Sequence, residues 1–253
     1  MLEVANVCKS YGKGGFWRTE KQPVLHGINI SVPAGASVGL VGESGSGKST
    51  LGRLILGLEP ADSGRILMQG QPVRQWRKKH AGGMSVVFQD YTTSVNPAYT
   101  IADIIREPLV ACGKSKGTDA TIAELMDRVS LSPKLTNHLP HEVSGGQLQR
   151  ACIARAIATN PTFVLFDEAI SSLDVSVQAK ILELLRELKG DMTYFFIAHD
   201  LQAVTYLCDD IYFLQKGSVV EQCSSTALAH VSSDYAKRLI GSAILFQSRW
   251  TGK

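Results

Sequence analysis

The chain has 253 residues, which is enough for one large domain or two small ones with a substantial core. Hydrophobic residues make up 44% of it and charged residues 19%, which indicates a globular protein and excludes a disordered one. The 26 basic and 23 acidic residues leave a net charge of +3, too balanced to indicate a nucleic-acid-binding protein. The N-terminus lacks a secretory signal pattern and no apolar run approaches the ~20 residues of a membrane span, so any membrane function is expected to need other chains. Five cysteines, an odd number without metal-ligand spacing, are expected to be reduced cytosolic thiols.

The first elements are strands on either side of a polar segment. Residues 2–7 alternate in polarity and predict a strand, and residues 24–32 predict a second one. Between them, Gly12–Gln22 is polar, contains glycines and carries Phe16 and Trp17, so a loop is expected there.

A glycine-rich loop follows the next strand. Residues 37–41 predict a short buried strand, residues 51–56 predict a helix, and the joining segment reads GESGSGKST. This is the pattern in which backbone N–H groups and a helix start bind phosphate, with Lys48 reaching the β- and γ-phosphates and the Ser49 hydroxyl holding Mg²⁺. A plain glycine-rich turn or a dinucleotide-binding loop would leave the Lys-Ser pair unexplained. The candidate phosphate-binding residues are Gly42, Glu43, Ser44, Gly45, Ser46, Gly47, Lys48, Ser49 and Thr50.

The middle of the chain changes from strands to helices. Residues 65–68 and 85–88 predict short strands, and the basic cluster at residues 74–80 between them is expected to be a solvated helix or loop face. From Asp90 to about Glu142, helical patterns appear around Ile101–Ala111 and Ala120–Val129, and another helix is expected from Ser144 to about Thr159. An inserted helical subdomain is therefore predicted.

The last third alternates strands and helices again. Strands are predicted at residues 163–166 and 193–197, with an amphipathic helix at residues 175–188 between them. Residues 211–220 predict a hairpin that turns at Lys216 and Gly217, and short helical pieces are expected from Ser224 onward. The alternation predicts an α/β fold with a mostly parallel sheet and helices on both faces.

Polar residues that follow these strands are the candidates for chemistry, because ligands of an open parallel sheet bind beyond its carboxyl ends. Asp167 can hold Mg²⁺, and Glu168 can orient or deprotonate a water that attacks the γ-phosphate. The alternative for Glu168 is a cap on the next helix. Gln89 can touch Mg²⁺ or water and His199 can meet the γ-phosphate, but on residue type alone Gln89 is a surface residue and His199 a structural one.

A second candidate anion site is formed by Ser144, Gly145, Gly146 and Gln147, which place a hydroxyl and unhindered backbone N–H groups at a helix start. One nucleotide already has its phosphate loop. Both sites can serve the same nucleotide if two subunits sandwich it between them. The alternative is an ordinary helix start with Ser144 as its N-cap.

In this order the motifs resemble those of the ATP-binding subunits of ABC transporters, over essentially the whole chain. The matching segments are the phosphate loop, Gln89, the signature Ser144–Gln147, the Asp167-Glu168 pair, the loop at residues 171–174 and His199. The resemblance implies a P-loop NTPase (RecA-like) α/β fold with a mostly parallel sheet, an antiparallel β portion and an inserted α-helical subdomain. One ABC ATPase domain over residues 1–253 is expected, with a core and β subdomain at 1–89 and 150–222, a helical subdomain at 90–149 and a short tail at 223–253.

The resemblance also implies an ATPase that uses Mg²⁺. Glu168 would be the general base, with His199 and Gln89 as further catalytic residues, and Ser49, Gln89 and Asp167 would hold the metal. Tyr11 would stack on adenine, and Asp174 would couple the two nucleotide sites of a dimer. Trp17 and the Gly12–Gln22 loop either shape the adenine pocket or form a surface loop.

The partners that the resemblance implies are a second ATP-binding subunit in a head-to-tail dimer, expected to be a paralogue, and two membrane permease subunits. An extracytoplasmic substrate-binding protein would act indirectly, and no nucleic acid is expected. The chain would lie peripherally on the cytoplasmic face of the inner membrane. The segment Gln89–Leu109, with Tyr91, Val95 and Tyr99, is expected to contact the membrane subunit.

Several segments resemble the peptide and nickel importer branch, namely FQDYTTS at residue 88, Asn96-Pro97, IIREPL at residue 104, DEAISSLD at residue 167 and AHDLQAVTYLCD at residue 198. They are most similar to the shorter of two paired ATPases in nickel or metallophore–metal importers. Import of nickel, cobalt or a metal–metallophore complex is therefore implied, with dipeptide or oligopeptide import as the alternative. A soluble ABC ATPase of DNA repair or translation and a phosphoryl-transfer kinase are further alternatives. Val143 replaces the usual Leu and Ala169 the usual Pro, but neither change removes a reacting group, so an active ATPase is expected.

Overall fold

The structure is a computed structural model that describes residues 1–13, 20–113, 118–171 and 173–251. Trp17, Ser172 and most of the predicted polar loop before residue 20 lie outside these residues. Contacts divide the chain into two compact units, of which unit 1 is Met1–Lys78 together with Thr193–Lys253 and unit 2 is Lys79–Met192. The predicted division into core, helical subdomain and tail stays a prediction.

The elements follow one another as an alternating series of strands and helices. The strands are β1 (Leu2–Lys13), β2 (Glu20–Val32), β3 (Ser37–Val41), β4 (Ser63–Met68), β5 (Gln71–Pro72), β6 (Met84–Phe88), β7 (Phe163–Asp167), β8 (Thr193–Ala198), β9 (Asp210–Gln215) and β10 (Ser218–Ser224). The α-helices are α1 (Lys48–Ile55), α2 (Val73–Lys79), α3 (Ile101–Ala111), α4 (Thr118–Arg128), α5 (Gly145–Ile157), α6 (Val175–Leu188), α7 (Leu201–Leu207) and α8 (Asp234–Thr251). Short 3₁₀ segments lie at Pro133–Leu135, Pro140–Glu142 and Ser225–His230.

Unit 1 contains an antiparallel sheet of order β2-β1-β4-β5. Strands β1 and β2 are longer than predicted, because Lys13 pairs with Glu20 and Tyr11 with Gln22. The expectation of a loop over the whole of Gly12–Gln22 is therefore wrong at both ends. These polar residues form strand because backbone pairing with the neighbouring strand satisfies their N–H and C=O groups without an apolar pattern.

Unit 1 also contains the strands that carry the glycine-rich loop, in the order β10-β9-β3-β8. Strand β3 is buried along its whole length and pairs in parallel with both β8 and β9, whereas β10 forms the predicted antiparallel hairpin with β9. Two positions in β8, Phe195 and Phe196, are almost fully buried. Strands buried on both faces read as continuous apolar runs, which is why the sequence identified them.

Unit 2 combines a parallel pair of strands with a cluster of helices. Strands β6 and β7 pair in parallel, and α3, α4 and α5, which lie between them in sequence, pack against one another. Helices α3 and α6 have the predicted bounds, and α5 follows Ser144 as predicted. The α/β fold with an antiparallel β portion and an inserted set of helices is therefore confirmed.

The C-terminal region differs from the prediction of short helical pieces. After the 3₁₀ segment, α8 is a single helix of 18 residues. A helix of this length has no strong local signal here, and its first turn is fixed by contacts with distant residues such as Glu43. None of the described helices is long and apolar enough to cross a membrane.

A capping box at the start of α3 gives a stability prediction. The Thr100 hydroxyl accepts a hydrogen bond from the Asp103 N–H at 3.2 Å, and the Asp103 carboxylate accepts one from the Thr100 N–H at 3.2 Å. Thr100→Val keeps the shape but removes the cap, so we expect the free energy of unfolding in urea to fall by about 1 kcal/mol. Thr100→Ser keeps the hydroxyl and should stay close to wild type; equal losses in both variants would contradict a capping role.

Candidate functional site

The glycine-rich loop of unit 1 is organised around a buried cation. Lys48, only 4% exposed, donates hydrogen bonds from Nζ to the carbonyl oxygens of Gly42 (2.8 Å) and Glu43 (3.0 Å). A buried ammonium group needs such acceptors to offset the loss of water. Both carbonyls belong to the first two residues of the loop, so the lysine at the start of α1 keeps this part of the loop curled.

The start of α1 is open to an anion. Its N-cap is Gly47 with φ of 106°, a backbone conformation that side chains rarely adopt, and no described side chain caps the helix. The first turn contains no acidic residue. The Ser46 hydroxyl is buried and has no hydrogen-bond partner among the described residues. The positive end of a helix without a side-chain cap, together with the buried Ser46 hydroxyl, matches the chemistry of a phosphate group.

Other parts of unit 1 hold the outside of the loop. The N–H of Gly217, in the turn of the β9–β10 hairpin, donates to the Ser46 carbonyl at 3.0 Å. A side chain at Gly42 would collide with the carbonyl oxygen of Leu214 in β9. The Tyr235 hydroxyl, in the first turn of α8, accepts a hydrogen bond from the Glu43 N–H at 2.9 Å. Sequence reasoning missed these contacts.

Tyr11 lies in β1 next to the end of the loop. Its hydroxyl donates to the Glu59 carboxylate at 2.6 Å, and the Lys9 ammonium lies 5.2 Å from the ring centroid. Burial and the Glu59 carboxylate raise the pKa of Tyr11, while a hydrogen bond with Thr50 acts in the opposite direction. The contact with Thr50 places Tyr11 at the glycine-rich loop. Its stacking on adenine stays a prediction.

His199 and the first residue of the glycine-rich loop follow two neighbouring strands that end at paired residues. Val41 in β3 is paired with Ala198 in β8, and the two strands are parallel. Gly42 directly follows β3 and His199 directly follows β8, and His199 is exposed. The prediction that His199 follows directly after a strand is confirmed, and the structure adds that this strand pairs with the one that precedes the loop.

The same arrangement occurs in unit 2. Phe88 in β6 is paired with Asp167 in β7, so Gln89 and Glu168 both follow directly after paired residues of parallel strands. Gln89 is exposed, whereas Asp167 and Glu168 are half-buried. Three of the predicted polar residues therefore lie together at the carboxyl end of this strand pair.

The backbone at Glu168 is held in an unusual conformation. Its φ is 48°, in the left-handed region that non-glycine residues rarely adopt and that recurs at functional sites. Both the N–H and the hydroxyl of Ser171 donate to the Glu168 carbonyl, at 3.2 Å and 2.9 Å. Helix α6 begins only after Asp174, which excludes Glu168 as its N-cap. The alternative reading of Glu168 as a simple helix cap is thus wrong.

A buried glutamine supports the residue that follows Glu168. The Gln149 side chain is fully buried, and its Nε2 donates to the Ala169 carbonyl at 2.7 Å. Gln178 donates in the same way to the Ile170 carbonyl at 3.0 Å. Gln149 lies in α5 two residues after the signature segment, so this helix start is connected to the turn that carries Glu168. The sequence offered only one sign of this role, a polar residue on the otherwise apolar buried face of the helix.

The signature segment forms the start of α5. The Ser144 hydroxyl accepts from the Gln147 N–H at 3.3 Å, and the Gln147 side chain accepts from the Ser144 N–H at 2.8 Å. Ser144 is therefore an N-cap. Small residues are required behind it, because a Cβ on Gly145 would lie 2.6 Å from the Tyr91 hydroxyl and one on Gly146 would lie 2.9 Å from Val177. Since Val177 is in the first turn of α6, the helix starts that follow Ser144 and Asp174 are neighbours.

The segment after Gln89 is fixed by a local carboxylate. Asp90 accepts hydrogen bonds from the N–H and hydroxyl of Thr92 and from the Thr93 N–H, which lower the pKa of its carboxyl to about 2. Tyr99 is 38% exposed, but Val95 is buried in unit 2. The Val95 side chain is therefore packed inside this unit, and the contact of the segment Gln89–Leu109 with a membrane subunit stays a prediction.

The comparisons with known proteins agree with this arrangement. The family model described as "ABC transporter" matches residues 25–171. The chain is 40% identical over 250 residues to the metal-staphylopine import system ATP-binding protein CntF of Staphylococcus aureus strain NCTC 8325, covering 97% of this chain and 100% of that protein. It is 36% identical to the nickel import ATP-binding protein NikE of Escherichia coli K12, covering 97% and 94% of the two chains.

The chain belongs to the ABC transporter family.

Solved structures agree with this assignment. The dimeric, post-hydrolysis structure of the ATP-binding cassette MJ0796 bound to ADP and Pi has a TM-score of 0.78 at 28% identity, covering 89% of this chain and 99% of that one. CbiO1 of Clostridium perfringens has the same fold, with a TM-score of 0.77 at 22% identity, covering 98% and 94%. As an ATP-binding subunit of the ABC transporter family, the protein binds and hydrolyses ATP.

The hydrogen bond from Gln149 gives a prediction for this ABC ATPase. Gln149→Met preserves side-chain length but leaves the buried Ala169 carbonyl without its donor, so the turn at Glu168 loses support. We expect ATP turnover to fall about tenfold while ATP affinity changes less than about twofold, since one such bond is worth about 1–2 kcal/mol. Steady-state hydrolysis and equilibrium nucleotide binding measure the two effects.

Gln178→Met is the control for Gln149→Met. It removes a similar bond one residue further from Glu168 and should reduce turnover less than Gln149→Met does. An equal fall in affinity and turnover in Gln149→Met would argue against an effect at Glu168.

Proposed function

We propose that the chain is the ATP-hydrolysing subunit of an ABC importer that takes up nickel, cobalt or a metal–metallophore complex through a membrane permease. The observation that carries the proposal is near full-length similarity to two import ATP-binding proteins, one for metal-staphylopine and one for nickel. Dipeptide or oligopeptide import remains the alternative, because the residues that bind cargo belong to other subunits of an importer.

The chemistry of the proposal begins at the phosphate loop. The carbonyls of Gly42 and Glu43 hold the Lys48 ammonium against the loop, and its positive charge suits the β- and γ-phosphates. The N–H groups after Gly47 and the buried Ser46 hydroxyl suit the phosphate oxygens. Tyr11, which hydrogen-bonds Thr50 at the end of the loop, would stack on the adenine.

Ser49, Gln89 and Asp167 are the proposed ligands of Mg²⁺. All three offer oxygen donors, which Mg²⁺ prefers. Mg²⁺ commonly keeps few protein ligands and completes its shell with phosphates and water. When bound, the ion would neutralise charge on the β- and γ-phosphates.

Glu168 is the proposed general base. Its carboxylate follows directly after the buried strand β7, and its left-handed backbone conformation turns the chain at that residue. A carboxylate placed there would orient a water and accept its proton as the water attacks the γ-phosphate. His199 would donate a hydrogen bond to that phosphate, and Gln89 would contact the attacking water or the metal.

A second ATP-binding subunit, expected to be a paralogue, would complete the site in a head-to-tail dimer. The observation in support is that Ser144–Gln147 form a capped helix start whose N–H groups suit a phosphate, in a chain that already has its own phosphate loop. The related MJ0796 cassette has been solved as a dimer. Asp174 beside this helix start would couple the two sites.

The membrane partners are proposed to be two permease subunits, with an extracytoplasmic binding protein acting through them. The chain would then lie on the cytoplasmic face of the membrane. Tyr99 and the exposed residues around it in the segment Gln89–Leu109 are the proposed contact. ATP-driven closing and reopening of the dimer would move this segment against the permease.

The role of the signature in trans can be tested at Ser144. Ser144→Asp keeps a good N-cap but adds a negative charge that would oppose the partner's phosphate. We expect ATP hydrolysis to fall at least tenfold, while a dilute single subunit still binds ATP with wild-type affinity. Ser144→Ala, which loses the cap without adding charge, separates helix fraying from charge repulsion. An equal loss of ATP binding by the single subunit would contradict action in trans.

The proposed function is tested by uptake. The chain would be produced together with the permease, the binding protein and the second ATPase of its importer, in cells that lack their own nickel and cobalt importers. We expect uptake of radiolabelled nickel or cobalt, alone or with a metallophore, and its loss in the Glu168→Gln variant, because hydrolysis drives transport. Uptake that persists in Glu168→Gln, or that is competed by dipeptides but not by metal, would overturn the proposal.

A further inference from the structure

The first turn of α8 contacts the phosphate loop through one buried hydroxyl. Tyr235 is 3% exposed, and its hydroxyl accepts a hydrogen bond from the Glu43 N–H at 2.9 Å. Glu43 is the second residue of the loop, and Tyr235 is 192 positions away along the chain. The contact therefore connects the C-terminal helix to the segment that binds phosphate.

One peptide group is held from both sides. The Glu43 N–H and the Gly42 carbonyl belong to the same planar peptide, in which they point in opposite directions. Tyr235 accepts from the N–H, and Lys48 donates to the carbonyl at 2.8 Å. The orientation of this peptide thus decides where the carbonyl that binds Lys48 is placed, and Tyr235 fixes that orientation.

The position of Tyr235 is itself fixed by an ionised carboxylate. Glu221 in β10 accepts hydrogen bonds from the Ser232 N–H (2.9 Å), the Ser232 hydroxyl (2.8 Å) and the Ser233 N–H (2.7 Å). These bonds lower the pKa of Glu221, so the carboxylate stays charged near neutral pH. They anchor the residues that lead into α8 and place Tyr235 against the loop.

The hairpin that carries Glu221 contacts the loop as well. The Gly217 N–H in its turn donates to the Ser46 carbonyl, and the Gly217 carbonyl accepts from the His26 N–H at 2.8 Å. The β9–β10 hairpin and α8 therefore hold two points of the loop, the peptide before Glu43 and the carbonyl of Ser46. Ordinary core packing would need the ring of Tyr235 but not its hydroxyl.

We propose that Tyr235 is a positioning residue for ATP, whose hydroxyl fixes the peptide between Gly42 and Glu43 and thereby orients Lys48 toward the phosphates. The proposal rests on the proposed binding of ATP at the phosphate loop. It gives the C-terminal segment a part in nucleotide affinity, which no motif of the sequence assigns to it.

The test compares two tyrosines of similar burial. Tyr235→Phe removes the hydroxyl at the loop, and Tyr212→Phe removes a hydroxyl that hydrogen-bonds the Ser31 backbone instead. We expect Tyr235→Phe to weaken equilibrium ATP binding about three- to tenfold, since a single hydrogen bond is worth about 0.5–1.5 kcal/mol. Tyr212→Phe should leave ATP affinity unchanged, although it loses both hydrogen bonds to the Ser31 backbone and Tyr235→Phe loses only the one from the Glu43 N–H.

Hydrogen exchange in the nucleotide-free protein gives a readout independent of activity. The Glu43 amide should exchange faster in Tyr235→Phe and at the wild-type rate in Tyr212→Phe. Glu221→Gln, which weakens the anchor of residues 232–233 but keeps the Tyr235 hydroxyl, should shift affinity and exchange in the same direction by a smaller amount. This variant also serves as the test if Tyr235→Phe does not fold.

The outcomes separate this proposal from the one on which it rests. If Lys48→Ala abolishes ATP binding while Tyr235→Phe binds like wild type, the phosphate loop stands and the role of Tyr235 is overturned. If both tyrosine variants lower thermal stability alike and neither changes affinity, Tyr235 is only structural and the proposal again fails. If Lys48→Ala binds ATP like wild type, the loop is not the phosphate site and the proposed function of this segment fails.

Discussion

The rest of unit 1 depends on the two hydrogen bonds that the Lys48 ammonium donates to the carbonyls of Gly42 and Glu43. A buried cation without acceptors would cost several kcal/mol, so the loop must curl to supply them. In the curled loop no side chain of the N-cap residue caps α1, and the buried Ser46 hydroxyl has no partner among the described residues. The same contact that stabilises the lysine thus prepares the loop for an anion.

The register of parallel strands places the remaining polar groups. In unit 1, Gly42 and His199 follow the paired residues Val41 and Ala198, and in unit 2 the pairing of Phe88 with Asp167 places Gln89 beside Glu168. Parallel pairing brings equivalent strand ends to one edge, so a few short apolar strands are enough to align side chains from distant parts of the chain.

In unit 2, side chains stabilise the turn at Glu168 by donating hydrogen bonds to its backbone carbonyls. Glu168 adopts a left-handed conformation that is costly for a residue with a side chain, and Ser171 and Gln149 donate hydrogen bonds to the carbonyls of Glu168 and Ala169. Ala169, where a Pro is usual, is buried and its carbonyl is bonded. The turn is therefore held by hydrogen bonds at a position where this chain lacks the rigidity of proline.

The sequence by itself determined the local elements and the site residues that stand next to them. Periodicity predicted the bounds of α3 and α6, and short apolar runs predicted the strands whose ends carry Gly42, Gln89, Asp167 and His199, because burial on both faces leaves a continuous apolar pattern. Only the tertiary structure decided the strand pairing at the ends of Gly12–Gln22, the single helix α8, the burial of Val95 and the contacts of Gln149 and Tyr235. These depend on partners far away along the chain, and a residue's own neighbours in sequence carry no signal of a hydrogen bond made 192 positions away.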